Sequence, residues 1–210
     1  MSQLFLPGWG APAALYQPAL PASWQALDPP SFAASGGTLA AYRQWVAWEL
    51  RSRGRSGLGG HSMGAALAIL AAADAPELVE RLVLVAPAGL PLEKPIRASL
   101  RDFVRQLARG DYSRRLAASA GLTAVRAPRA AVGVAQQVRR LDLRRECARV
   151  RAAGVPATVV GCMSDTLVTS ARARTLAEAL GARYVELDLA GGHMWMLRAP
   201  ARFASVLAGA

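Results

Sequence analysis

Ser62 lies between two glycines in the segment Gly60-His61-Ser62-Met63-Gly64, where an apolar stretch meets a helical one. If the chain turns sharply from strand to helix there, the serine hydroxyl is exposed at the tip of the turn. The glycines then let neighbouring backbone approach without a Cβ clash, and the N–H after the serine can face a developing oxyanion. The residue types and their spacing therefore favour a serine nucleophile. A five-residue pattern also arises by chance, so the rest of the chain must supply a base and an acid.

The chain contains two histidines, and His193 is the realistic base for Ser62. A serine hydroxyl is a poor nucleophile near neutral pH and needs a histidine that a carboxylate orients. His61 adjoins the serine and is expected to point away across the turn. His193 lies in the glycine-rich segment AGGHMW at residues 190–195, directly after the last predicted strand. A loop of that composition can bring the imidazole over the edge of the sheet.

Asp165 is the strongest candidate for the orienting carboxylate, and Asp188 is its rival. Asp165 follows a short apolar strand, so we expect it at the carboxyl edge of the sheet, the same edge as Ser62. Asp188 lies in an alternating pattern at residues 185–189, which favours an ordinary strand position. We therefore predict a triad of Ser62, Asp165 and His193.

The elements that must position this triad alternate between strands and helices. Strands are predicted at residues 3–6, 24–27, 56–61, 81–86, 155–161 and 184–189, and helices at 38–53, 65–73, 170–180 and 200–207. The continuous apolar run at 82–85 is typical of a strand that is covered on both faces. The βαβα order predicts an α/β fold with a doubly wound, mostly parallel sheet.

Residues 88–154 interrupt this alternation with helical patterns. We predict a helical cap insertion there, within a core formed by 1–87 and 155–210. One apolar stripe of the cap runs from Ile96 to Leu107, and arginines repeat four residues apart on another face, at positions 97, 101, 105 and 109.

The net charge of +11 is concentrated in the same region. Residues 93–151 contain 15 basic and 5 acidic residues, and Lys94 is the single lysine of the chain. Guanidinium groups suit carboxylates and phosphates, so the cap could dock an anionic carrier such as acyl carrier protein or coenzyme A. The alternative is a solvated helix face. Charge alone is the argument for nucleic acid, and we expect no nucleic-acid partner.

Composition narrows the class of protein further. No apolar stretch has the length of a membrane span, and the N-terminus lacks the basic start of a signal peptide, so we expect a cytoplasmic protein. The two cysteines are expected to be reduced thiols. No residues have the spacing of metal ligands, and the sequence implies no cofactor.

The chain resembles the α/β-hydrolase superfamily in its serine turn at 60–64, its acid loop at 161–168 and its histidine loop at 191–197. The order Ser, Asp, His along the chain is the order of that family. The segment Leu6-Pro7-Gly8-Trp9-Gly10 is similar to the family's loop after the third strand. The resemblance implies an oxyanion hole formed by the backbone N–H groups of Trp9 and Met63.

Two departures accompany the resemblance. Pro7 stands where the family usually has histidine, so the hydrogen bonds that shape the oxyanion loop must differ. The chain begins almost at the family's third strand, which implies a fold that lacks the first two strands. We expect something to cover the resulting sheet edge, such as a second copy in a homo-oligomer.

The resemblance implies a serine hydrolase that cleaves a carboxylic ester or thioester through an acyl-enzyme. The segment LDLR at 141–144 is faintly similar to the cap of esterases that act on pimeloyl-carrier methyl ester, which makes a carrier-linked ester a candidate substrate. An acyltransferase, a carbon-carbon bond hydrolase and a non-catalytic binding protein are the alternatives. Met194 and Trp195, beside the base, are candidates for lining the substrate pocket or for packing the last helix.

Overall fold

A six-stranded parallel sheet runs through the centre of the molecule. The computed structural model describes residues 2–92, 101 and 124–209. Neighbouring strands lie in the order β2-β1-β3-β4-β5-β6, and every pair is parallel. The strands are β1 Gln3–Leu6, β2 Trp24–Ala26, β3 Ser56–His61, β4 Val79–Val85, β5 Ala157–Cys162 and β6 Arg183–Leu187. The predicted α/β fold is confirmed.

Helices cover both faces of this sheet. They are α1 Ala13–Tyr16, α2 Leu39–Arg53, α3 Met63–Asp74, α4 Pro128–Arg140, α5 Arg144–Ala152, α6 Ser170–Leu180, α7 Trp195–Arg198 and α8 Pro200–Ala208. Local signals define several ends. The hydroxyl of Thr38 accepts the N–H of Ala41 at the start of α2, and Gly181 ends α6 in the left-handed conformation with φ 62°. No helix among these residues is long and apolar enough to cross a membrane.

Alternate residues of the central strands point into two separate apolar clusters. The first core contains Leu58 and Leu84 and is completed by α2, α3, α5 and α6. The second core contains Phe5 and Val85 and is completed by α1, α7 and α8. This arrangement follows from the two-residue period of a strand, which sends successive side chains to opposite faces.

Most of the arginine stripe predicted at 97–109 lies outside the described residues, apart from the exposed Arg101. The described part of 88–154 includes the helices α4 and α5, and both contribute residues to the first core. The helix α4 lies near the start of α2, where the amide of Gln137 accepts the N–H of Leu39 and donates to the carbonyl of Gly37. The helix α5 packs into the first core through Cys147 and Val150. An insertion bounded at 88 and 154 stays a prediction.

The edge strand β2 is covered by a side chain of the same protein. Trp24 and Ala26 turn their outward backbone groups toward Gln17. The Gln17 amide donates to the carbonyl of Trp24 at 3.1 Å and accepts the N–H of Ala26 at 2.8 Å. The side chain thus pairs with backbone groups that a neighbouring strand would otherwise bind, and a homo-oligomer through this edge stays a prediction.

Candidate active site

Ser62 occupies a strained turn between β3 and α3. Its backbone has φ 54° and ψ −113°, a conformation that residues other than glycine rarely adopt. Three backbone hydrogen bonds hold it: its N–H donates to Val85 at 3.0 Å, and its carbonyl accepts from Ala66 at 3.1 Å and from Ala88 at 3.2 Å. Ser62 is half-buried. The sharp strand-to-helix turn predicted from the sequence is therefore present.

Backbone approaches closely at both flanking glycines. A Cβ on Gly60 would lie 2.5 Å from the carbonyl carbon of Gly64. A Cβ on Gly64 would lie 2.0 Å from the carbonyl oxygen of Leu6. Neither site can hold a side chain without moving backbone, because real Cβ contacts are never that short. The glycines let the start of α3 press against the loop that follows β1.

Asp165 and His193 form a buried hydrogen-bonded pair. His193 Nδ1 lies 2.7 Å from Asp165 Oδ2, and the two side chains are 1% and 0% exposed. The other carboxylate oxygen, Oδ1, accepts the N–H groups of Leu167 at 2.8 Å and Val168 at 3.0 Å. The rival Asp188 lies exposed after β6. Since the carboxylate accepts, Nδ1 carries a proton, and in a neutral imidazole that leaves Nε2 as the basic nitrogen.

Ser164 joins the loop of the acid to the loop of the base. Its hydroxyl donates to the carbonyl of Leu189 at 2.5 Å and accepts the N–H of Gly192 at 3.0 Å. Gly191 and Gly192 both have positive φ, at 126° and 58°. The glycines allow the chain to turn back over the sheet edge directly before His193, as the sequence predicted.

His61 lies beside His193, the predicted base, and both of its ring nitrogens have hydrogen-bond partners. The rings of His61 and His193 are 4.5 Å apart between centroids. His61 Nε2 lies 2.9 Å from the carbonyl oxygen of His193, and Nδ1 lies 2.8 Å from the hydroxyl of Tyr16. Burial, and secondarily the neighbouring His193, hold the pKa of His61 well below its usual value. Because His61 directly precedes Ser62, this contact brings the loop of the base against the nucleophile turn.

The loop after β1 carries Trp9, the predicted oxyanion donor. The hydroxyl of Tyr16 accepts the N–H of Gly8 at 3.3 Å, which supplies a hydrogen bond where Pro7 has no side-chain donor. The Trp9 indole donates to the carbonyl of Ala131 in α4 at 3.1 Å. The loop is therefore tied to α1 on one side and to α4 on the other. Its predicted partner Met63 is the first residue of α3, where N–H groups lack partners within the helix.

Comparison with known proteins gives the same architecture. The sequence profile of the alpha/beta hydrolase family matches residues 3–206. The chain belongs to this family. A search of curated protein sequences finds no match.

Solved structures of other hydrolase-fold proteins superpose on the whole chain. An enol-lactonase from Burkholderia xenovorans has a TM-score of 0.77 and 20% identity, covering 100% of this chain and 91% of its own. A lipase-esterase related protein from Clostridium acetobutylicum has a TM-score of 0.79 and 13% identity, with coverages of 99% and 93%. An N-acyl homoserine lactone degrading enzyme has a TM-score of 0.78 and 19% identity, with coverages of 100% and 92%. At these identities the likeness establishes the fold.

In this hydrolase-family chain Met194 and Trp195 are core residues. Trp195 is 0% exposed and Met194 is 3% exposed, both in the second core. The ring of Trp195 meets that of Phe203 edge-on at 5.9 Å. This contact packs Trp195 against the last helix, and a role of Met194 and Trp195 in lining the substrate pocket stays a prediction.

Tyr16 is the site residue that the sequence analysis missed. It lies in the one-turn helix α1, 45 residues from His61, and nothing in the local pattern distinguishes it from an apolar core residue. Its complete burial together with a hydroxyl is the single signal, because a buried phenol needs a hydrogen-bond partner.

Proposed function

We propose that the protein is a serine hydrolase that cleaves a carboxylic ester or thioester with Ser62 as nucleophile, His193 as base and Asp165 as its orienting acid. One observation carries the proposal: the buried 2.7 Å pair of Asp165 and His193 lies against the strained turn that presents Ser62. A carboxylate and an imidazole are expensive to bury, and a non-glycine residue with positive φ is strained. Both features are accounted for by acyl transfer.

The reaction proceeds in two steps. His193 Nε2 takes the proton of Ser62 as Oγ attacks the carbonyl carbon, and the imidazolium then gives that proton to the departing alcohol or thiol. Water attacks the resulting acyl-enzyme with the same histidine as base, releasing the acid and restoring Ser62. Throughout, Asp165 stabilises the imidazolium and keeps Nδ1 protonated.

The backbone N–H groups of Trp9 and Met63 are the proposed donors to the oxyanion. Gly64 supports this role, because the absence of its side chain allows the loop of Trp9 to lie against the start of α3. Each such donor stabilises a tetrahedral transition state by about 3 to 4 kcal/mol.

The substrate class extends to cyclic esters. Two of the superposable proteins are named for action on lactones, and a lactone is a carboxylic ester closed into a ring. The same triad chemistry opens it, with the leaving alkoxide retained in the product. A panel for this protein therefore includes lactones beside open-chain p-nitrophenyl esters and acyl thioesters.

Labelling with a fluorophosphonate tests the nucleophile. We expect one equivalent of label on the unaltered protein, none on Ser62→Ala, and full labelling of the matched control Ser205→Ala, which changes an exposed serine of α8. Turnover of the ester panel should disappear with Ser62→Ala alone. An unaltered protein that neither labels nor turns over any ester contradicts the proposal. Adding an alcohol acceptor separates hydrolysis from acyl transfer through the products formed.

We further propose that a substrate linked to an anionic carrier docks at the arginines of the cap. Arg126, Arg129 and Arg140 are exposed in and beside α4, the helix to which Trp9 is hydrogen bonded. Opposite charge would speed the encounter with a phosphate-bearing carrier. Arg144 and Arg149 are less suitable, because they bind Asp142 and the carbonyl of Ala73.

The double variant Arg129→Glu, Arg140→Glu tests docking. We expect kcat/KM for a coenzyme A or acyl carrier protein thioester to fall at least tenfold and to lose its salt dependence, with no change for a short free thioester. Arg51→Glu, an exposed charge reversal on α2, is the control. Equal kinetics on both substrates in all three proteins would show that the arginines are a solvated face.

A further inference from the structure

Three hydrogen bonds run in one direction through buried groups next to the nucleophile. The N–H of Gly8 lies 3.3 Å from the Tyr16 hydroxyl, which lies 2.8 Å from His61 Nδ1. On the other side of the ring, His61 Nε2 lies 2.9 Å from the carbonyl of His193. Tyr16 is 0% exposed and His61 is 1% exposed, so water does not compete for these bonds.

The direction of each bond follows from chemistry. A backbone carbonyl accepts, so the proton of the neutral His61 ring must be on Nε2. Nδ1 then has a lone pair and accepts the hydroxyl proton of Tyr16. The phenol oxygen is left to accept the N–H of Gly8. No other placement of protons on a neutral imidazole satisfies all four groups.

This series of hydrogen bonds ends at the backbones of two loops of the proposed active site. Gly8 immediately precedes Trp9, the proposed oxyanion donor, and the far end is the peptide of the proposed base itself. The central residue, His61, immediately precedes Ser62. One buried imidazole thus connects the oxyanion loop, the nucleophile turn and the base loop.

The oxyanion loop also packs directly on these groups. A Cβ on Gly8 would lie 2.9 Å from His61 Nδ1 and 3.3 Å from the Tyr16 hydroxyl. The ring of Tyr16 is itself held by Phe5 at 5.2 Å between centroids. Close packing leaves the phenol little room to turn to another acceptor.

We propose that Tyr16 and His61 are positioning residues, which hold the oxyanion loop and the base loop at fixed distances from Ser62 through this directed chain of hydrogen bonds. The inference rests on the proposed serine hydrolase and adds two residues to it. The hydrogen bonds of the two side chains join backbone groups of the loops and each other. Their contribution is geometric, because a displacement of about 1 Å of an aligned group can reduce a rate about a hundredfold.

His61 must remain neutral while His193 gains and loses its proton. A second proton on His61 would occupy Nδ1, remove the acceptor of Tyr16 and place two cationic rings 4.5 Å apart. The burial that keeps His61 uncharged is therefore part of the positioning role. A positive charge on His61 would destabilise the imidazolium of His193 and so oppose the effect of Asp165.

The variant Tyr16→Phe tests this series of hydrogen bonds, with Tyr42→Phe as its matched control. Tyr42 is also buried, at 2% exposure, but it lies in the first core on α2. We expect Tyr16→Phe to lower kcat at least tenfold with KM changed less than twofold, and Tyr42→Phe to change neither. A kcat for Tyr16→Phe equal to that of the control overturns the proposal.

Substitutions at His61 provide a rescue experiment. His61→Gln keeps an N–H that can reach the carbonyl of His193, whereas His61→Leu removes it and has a similar volume. We expect His61→Gln to retain at least ten times the kcat of His61→Leu at comparable melting temperature. Equal rates in the two variants would mean that His61 only fills space.

Nuclear magnetic resonance separates this proposal from the proposed function. The chain has two histidines, so the side-chain nitrogen spectrum contains two imidazoles. We expect His61 to be neutral with its proton on Nε2 at pH 6 to 8, and its Nδ1 resonance to shift in Tyr16→Phe. A protonated His61, or a proton on Nδ1, overturns the chain whether or not esters are cleaved. Failure to label Ser62 with this tautomer present overturns the catalytic assignment alone.

Discussion

The two cores cover opposite faces of one sheet but differ in what they contain. The first core is centred on α3, whose buried residues are all methionine, glycine, alanine, leucine or isoleucine, without a hydrogen-bonding side chain. The second core borders the buried groups of Tyr16, His61, Asp165 and His193. Apolar packing tolerates small shifts, whereas hydrogen-bonded groups need defined distances and directions. We therefore expect the first core to contribute most of the stability, and the groups beside the second core to set the geometry of the proposed active site.

The substitution Asp165→Asn should have the largest effect, and it should fall on the rate. An asparagine amide can donate to Nδ1 of His193, which selects the wrong tautomer, so we expect kcat to fall by about 10⁴-fold. Thermal unfolding should change little, because the amide oxygen can still accept from Leu167 and Val168. Steady-state kinetics and calorimetry measure the two effects.

Asp188→Asn is the matched control for this prediction. The residue is exposed at the end of β6, so kcat should stay within twofold. A large loss of activity in Asp188→Asn with little in Asp165→Asn would reverse the assignment of the acid.

The substitution Leu50→Ala should produce the opposite profile. Leu50 is 1% exposed in the first core, near the end of α2 and far from the carboxyl edge of the sheet. We expect the free energy of unfolding to fall by about 3 kcal/mol, with kcat of the folded protein within twofold. Urea denaturation measures the first quantity. A kcat that falls in proportion to stability would mean that the two cores are not separable.

The pH dependence of stability should reveal the buried imidazole of His61, which lies beside the second core. Burial holds the pKa of His61 in the folded protein well below its usual value of 6.5, so at pH below about 6.5 the unfolded chain binds a proton that the folded chain does not. The free energy of unfolding should therefore decrease as pH falls from 7 toward 5, and His61 should contribute no slope above about pH 7.5.

His61→Gln removes this titration and should flatten the profile. The difference in slope between the two proteins is at most about 1.4 kcal/mol per pH unit. Urea denaturation at a series of pH values measures it. Parallel profiles for the two proteins would show that folding does not lower the pKa of His61.

The smallest effect is expected for Gln17→Ala, which removes the side chain that pairs with the edge strand β2. Loss of the amide returns the outward groups of Trp24 and Ala26 to water, which should lower the free energy of unfolding by about 1 kcal/mol. Self-association should increase, because an uncovered edge strand can pair with another copy. Sedimentation at rising protein concentration checks this, with Gln25→Ala, an exposed neighbour on the same strand, as control.

The spacing of apolar residues and the positions of glycine and proline predicted most of the helices and strands. The strands at 3–6 and 56–61 and the helix at 170–180 agree with the structure to the residue, and the ends of the other predicted elements agree to within two residues. These segments are governed by local signals, such as the glycine that ends α6. The parallel order of the strands followed from their alternation with helices.

Contacts between segments that are distant in the sequence were harder to predict. The sequence suggested Asp165 and His193 separately, because each follows a strand that ends at the same edge. It did not predict that His61 contacts the loop of His193, since the alternation of strand residues says which face a side chain occupies but not which loop packs against that face. Tyr16 and Gln17 were missed because their partners are set by the tertiary fold.

The strain at Ser62 has a consequence for how the sequence can vary. Ser62 and Ala86 are the two non-glycine residues with positive φ among those described, and they end neighbouring strands, β3 and β4. Such a conformation costs on the order of 1 to 3 kcal/mol, so glycine at position 62 would make a more stable protein. A lineage under selection for folding alone would drift toward glycine there. Under the proposed mechanism, the nucleophilic hydroxyl is the reason to retain this strained residue, and a related chain with glycine at this position would have lost the proposed nucleophile while gaining stability.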